Sequence, residues 1–147
     1  MFLSLRYISS GTLSALNEES DMTIAVSVFS DSIITDDGLE SVMRKLHAEQ
    51  DEIMGWKLER NGRKIHIVLG SQDIEFMPES ILNEAEKLLG TPVKSRVSMF
   101  FNDEPEDKFE YRMARAVAKA MAEIWNVSFD DHAGHSERIY PPGAPVS

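Results

Sequence analysis

Carboxylates and imidazoles crowd the C-terminal part of the sequence, where Asp130, Asp131, His132, His135 and Glu137 follow one another closely. Paired carboxylates with imidazoles can relay a proton or hold a divalent metal, and loops at strand ends are where such groups tend to gather. Here the spacing matches no established ligand pattern. His132 and His135 stand three apart on a glycine-containing stretch, so a shared helical face does not follow. The expectation is a solvated turn whose aspartates accept hydrogen bonds from the backbone. Its rival is a small metal-dependent hydrolase built on Asp130, Asp131, His132 and His135.

A second cluster, Asp103, Glu104, Glu106 and Asp107, precedes a helical pattern. The free N–H groups and positive dipole end of a helix favour carboxylates there, and the same residues form an anionic knob able to dock in a basic groove. Along that helix Arg112, Arg115 and Lys119 recur three and four apart, hence on one face. Three such cations can grip a phosphate, but in so acidic a chain the expectation is pairing with carboxylates such as Glu123, four residues after Lys119. His47 and His66 have no Ser or Asp constellation beside them and read as structural. Gly70 and Ser71 follow a strand pattern, yet no glycine-rich phosphate loop continues from them, which argues against nucleotide binding. No catalytic residue, metal ligand or cofactor is expected.

The chain has 147 residues, the length of one domain able to bury a core of its own. It has no cysteine, which removes disulfides, thiolate metal sites and cysteine nucleophiles, and fits a reducing compartment; the cytoplasm is the expected location. Lys and Arg total 15 against 25 Asp and Glu, a formal net charge of -10. Such a field repels nucleic acid and anionic lipid, which bind by having phosphates neutralised, and suits a basic protein partner. No run reaches the roughly 18 apolar residues of a membrane span. Residues 1–21 are broken by Ser4, Ser9, Ser10 and Gly11 and carry Glu18, Glu19 and Asp21, which suits neither a signal peptide nor an organelle presequence. With Met22 able to serve as a start, they are expected to be a mobile extension.

These side chains must be positioned by regular elements, and the hydrophobic pattern supplies them. Thr23 to Phe29 is β-branched and apolar, as a buried strand is. Asp36 or Asp37 offers an N-cap to a helix bearing Leu39, Val42, Met43, Leu46 and Ile53 on one side and ending near Gly55. Asn61-Gly62 predicts a two-residue hairpin turn, pairing Arg60 with Arg63, Glu59 with Lys64, Leu58 with Ile65 and Trp56 with Ile67. Pro78 opens a second helix with Ile81, Leu82, Ala85, Leu88 and Leu89 as its stripe, closed by Gly90 and Pro92. Val93 to Phe101 reads as a strand. A third helix follows, with Phe109, Met113, Val117, Ala120, Met121 and Ile124 on one side and Asn126 at its end, and then a short strand, Val127 to Phe129. Trp56 and Trp125 read as core anchors.

The resulting order, β-α-β-β-α-β-α-β, predicts an α+β fold: a mostly antiparallel sheet with helices packed on it. A ferredoxin-like arrangement is compatible with its first six elements. One domain is expected over residues 22–131, with an extended tail over 132–147 where Gly, Pro, His and Ser take over.

An alanine-rich helix, ARAVAKAMAEIW, followed by a short strand and an Asp-Asp turn, VSFDDHAG, in a small acidic cysteine-free chain resembles several families of bacterial immunity proteins that accompany polymorphic or contact-delivered toxins. The resemblance implies inhibition by direct binding, an acidic face covering the basic cleft of a toxin. It transfers no residue roles. The residues expected to make such a face are Asp103, Glu104, Glu106, Asp107, Asp130 and Asp131. The rival readings are the metal-dependent hydrolase and an interaction module that forms a homodimer through an exposed strand edge.

Overall fold

The computed structural model describes residues 23–51, 55–70, 74, 77–102 and 108–141. The expectations for residues 1–21, for Ile53, for the cluster Asp103, Glu104, Glu106 and Asp107, and for the last residues of the tail lie outside them. The described elements are β1 (Thr23–Ser30), α1 (Asp36–Lys45), β2 (Glu49–Gln50), β3 (Trp56–Arg60), β4 (Arg63–Leu69), α2 (Glu79–Leu89), β5 (Ser95–Asn102), α3 (Phe109–Met121), β6 (Val127–Asp130) and β7 (Ser136–Ile139). The strands make one sheet in the order β2-β3-β4-β5-β1-β6-β7, antiparallel at every pairing. The class is α+β, as the pattern predicts.

Strand alternation sorts the sheet into two faces. On one, Val26 and Val28 of β1 join Val97, Met99 and Phe101 of β5, Ile65 and Ile67 of β4, and Val127 and Phe129 of β6. The apolar stripes of α1 (Leu39, Val42, Met43) and α3 (Met113, Ala114, Val117, Ala118, Met121) close over them. Each such large side chain contributes roughly 1.5–3 kcal/mol by leaving water, so this layer is the main source of stability. On the opposite face Phe29 packs with Ala85 and Leu89 of α2, and with Met77, Ile81, Leu82 and Val93 around them. The sheet is therefore sandwiched between α1 and α3 on one side and α2 on the other.

The β3–β4 hairpin has the predicted turn and register: Trp56 faces Ile67, Leu58 faces Ile65, Glu59 faces Lys64, and Arg60 faces Arg63. Asn61 and Gly62 sit at φ 55 and 75, the positive values such a turn requires. Both tryptophans pack against the main core.

Several expectations are corrected, the third helix among them: it stops at Met121 rather than at Asn126 and leaves Ile124 exposed. The first helix stops at Lys45 rather than near Gly55; His47 takes φ 62 and the chain turns back, so that Glu49 and Gln50 pair with β3. Its cap is Thr35, whose extended backbone and hydroxyl, accepting from Gly38 N at 3.0 Å, leave Asp36 and Asp37 already inside the first turn. The arrangement is not ferredoxin-like, because β5 rather than β1 stands beside β4 in the sheet and α2 packs on the face opposite α1. The expected tail contributes a strand: Ser136–Ile139 pairs with all of β6 and buries Ile139. Its composition masked it, since Gly134 and the prolines flank only four residues of strand.

Candidate functional site

The Asp/His cluster is the turn of the β6–β7 hairpin, and alternation splits it. Asp131 N donates to His135 O at 3.0 Å, closing the turn. One Asp131 carboxylate oxygen accepts from Ala133 N and His135 N at 2.8 and 2.9 Å. Asp130 accepts from His132 N at 2.7 Å, with His132 at φ 60 and Gly134 at φ 103 reversing the chain. Both aspartates thus work on backbone N–H groups, as in an Asx turn. Asp130 shares its face with α2, whereas Asp131 lies by Tyr111 of α3.

On the α3 side the cluster is drawn into ion pairs. Arg115 donates to both oxygens of Glu137, at 2.9 and 2.7 Å, and His135 Nε2 lies 2.9 Å from the same carboxylate. The Arg115 hydrogen bonds, with help from His135, hold Glu137 down at about 2 against the opposing pull of burial. Burial first, then Asp131 and Glu137, push the Tyr111 hydroxyl upward, while its ring meets Phe129 edge-on at 5.6 Å. The helix cations do not converge on a phosphate site: Arg115 belongs to Glu137, and Arg112 lies over the Phe109 ring at 5.8 Å. Glu123, expected beside Lys119, instead bonds Lys45 of α1. Tertiary packing of α1 on α3 overrides the local spacing.

On the α2 side the register lines up a polar row, Ser98, Ser27, Asp130 and Ser136, across four strands. His132 folds back over it. Its Nε2 lies 2.7 Å from Ser27 Oγ, and Arg96 Nε donates to the same hydroxyl at 3.0 Å. The residue as a whole is exposed, yet its ring tip abuts a fully buried serine. Burial pushes the imidazole below its usual value, Asp130 and Asp131 pull it up, and Arg96 adds to the downward push. Reading by motif missed Ser27 and Arg96. The available signal was a serine set between Val26 and Val28 in a strand otherwise reading as core.

A hydroxyl at hydrogen-bond distance from an imidazole is the geometry of a nucleophile and its base. Here the oxygen sits mid-strand with no exposure, already holding the Arg96 bond. A groove of about 450 Å³, walled by Ser80, Ile81 and Glu84 of α2 and by Asp130, His132, Gly134, His135 and Ser136, opens over His132 but does not reach Ser27. The trio is a clamp tying the hairpin turn to the central strands. Among the described residues no group of three or more His, Asp or Glu stands placed to hold a metal. Of the two hairpin aspartates expected at a partner surface, Asp130 is only 7% exposed and spends one oxygen on its own turn; Asp131 is half-buried.

No protein-family model matches the chain, and no curated protein or solved structure matches it.

Proposed function

We propose that this domain binds a basic protein partner through its acidic surface and blocks that partner by covering its working cleft, in the manner of the immunity proteins that its last helix and hairpin resemble. The observation that carries the reading is the net charge of -10. A field of that size attracts a cationic surface, steers the encounter and disfavours nucleic acid. The hairpin carboxylates add support, because they are spent on backbone and arginine hydrogen bonds rather than held open for chemistry.

The test is co-purification with the product of the adjacent gene, followed by association kinetics. Reversing Asp103, Glu104, Glu106 and Asp107 to lysine should slow association at low salt. The difference should shrink near 1 M salt, where charges are screened beyond roughly 3 Å. An unchanged rate at low salt, or substrate turnover by the pure protein that depends on His132 or Asp131, would overturn the reading.

A further inference from the structure

Among the described residues three large apolar side chains are left exposed: Ile33, Ile124 and Tyr140. Two of them share one end of the molecule. Ile33 lies in the β1–α1 connection, between Asp31, whose carboxylate accepts from Asn126 Nδ2 at 2.9 Å, and Gly38, where an added Cβ would stand 2.7 Å from the Trp125 ring. Ile124 directly precedes Trp125 and Asn126. The contacts that join the two segments therefore set the two isoleucines beside the same seam, 70% and 53% exposed. An aliphatic side chain that open is not part of the fold's own packing, since the neighbours Ile34 and Trp125 already fill the core beneath.

The rim of this patch is acidic. Asp36 and Asp37 are exposed in the first turn of α1, where Thr35 already supplies the cap. Asp31 stays charged, held down chiefly by the Asn126 hydrogen bond. Lys94, whose backbone N–H donates to Ser30 O, is a nearby counter-charge, and Lys45 and Glu123 satisfy each other. Asp31, Asp36 and Asp37 thus all lie within four residues of Ile33 in the chain. An apolar centre with a charged rim is the anatomy of a protein interface.

We propose that Ile33 and Ile124, rimmed by Asp31, Asp36 and Asp37, form the docking surface for the basic partner, which inserts an apolar side chain flanked by Lys or Arg. This rests on the reading of the domain as a binder of basic protein. It moves the centre of contact from the hairpin to the opposite end of β6. A second copy of the chain is the poorer occupant, because it would bring the same acidic rim and the same net charge of -10 against this one.

The experiment is selection of a displayed library of random peptides on the full chain, with affinities then measured on the wild type and on the variant Ile33→Ser/Ile124→Ser. Both positions are exposed, so the variant should melt within a few degrees of the wild type. The expected result is enrichment of peptides with Lys or Arg around an aliphatic or aromatic residue, and loss of at least about tenfold in affinity on the variant. Basic peptides that bind both proteins equally would overturn the surface and leave the basic-partner reading standing. Enriched peptides without basic excess would overturn that reading itself. Self-association of the wild type that the variant lacks would assign the patch to a second copy and overturn the partner.

Discussion

Ser27 and His132 are 105 residues apart in the chain and 2.7 Å apart across the sheet. A hydroxyl carries one proton and two lone pairs, so Ser27 can donate to a neutral ring or accept from a charged one while Arg96 occupies its other lone pair. Hydrogen bonding alone therefore does not choose the protonation state. Burial and the Arg96 charge do, and they choose the neutral ring.

It follows that acid should loosen the hairpin before it touches the carboxylates. A ring whose folded value lies below the ordinary 6.5 contributes stability that is complete above that pH and is lost as pH falls through the folded value. Thermal midpoints measured from pH 7 to 5 should drop for the wild type and drop less for His132→Gln, which cannot charge. Parallel curves would remove His132 as the cause.

Glu137 titrates in a lower window. Its folded value of about 2 against an ordinary 4.5 means stability present above 4.5 and lost as pH falls toward 2. Glu137→Gln should cost about 1–2 kcal/mol at neutral pH, the worth of a charge-assisted pair trimmed by the partial exposure of Arg115. Urea unfolding should show that difference narrowing as the pH approaches 2.

Arg63 and Glu110 make an enclosed ion pair, with contacts of 2.7 and 3.2 Å and Glu110 only 5% exposed. Arg63→Met strands a buried carboxylate and should cost about 3 kcal/mol. Arg63→Met/Glu110→Leu should regain most of it, since the second change removes the stranded charge. Equal losses in the single and double variants, read by chemical denaturation, would show that the carboxylate finds another partner.

Two glycines with similar backbone angles separate strain from crowding. Gly55 and Gly62 sit at φ 73 and 75, but a Cβ at Gly55 would lie 2.2 Å from Ile67 O, whereas nothing stands within 4 Å at Gly62. Gly62→Ala should cost about 1 kcal/mol, the ordinary left-handed penalty. Gly55→Ala must also push β4 aside and should exceed about 3 kcal/mol. Comparable midpoints for the two variants would mean that the close approach is relieved by a shift of the loop.

What the residues disclosed depended on how local the deciding physics is. The Asn61-Gly62 hairpin was legible to the last pair because turn type fixes register within a dozen residues. The end of α2 was equally plain, with Gly90 left-handed at its C-cap, while Pro78 stands just outside the first turn instead of within it. The end of helix one is not legible in the sequence, because Leu46 continues the apolar stripe past Lys45 and no glycine or proline marks the place where His47 turns the chain. The polar row under His132 was invisible for a different reason: Ser98, Ser27 and Asp130 become neighbours only once β1 settles between β5 and β6. No spacing within any one segment encodes that adjacency.

The placement of β1 also sets the order in which the sheet can be completed during synthesis. This strand precedes every other described element, yet its two neighbours, β5 and β6, come after two and three helices respectively. A nascent chain halted after α2 holds a finished β3–β4 hairpin and a β1 with both edges bare, a template for pairing with another chain. Closure waits for Asp130 to be made, so the last step is a long-range docking with the high contact order that slows folding. Cells that shorten this wait, by a chaperone that shields the strand or by rapid translation through β5 and β6, should gain soluble yield without any change in the finished molecule.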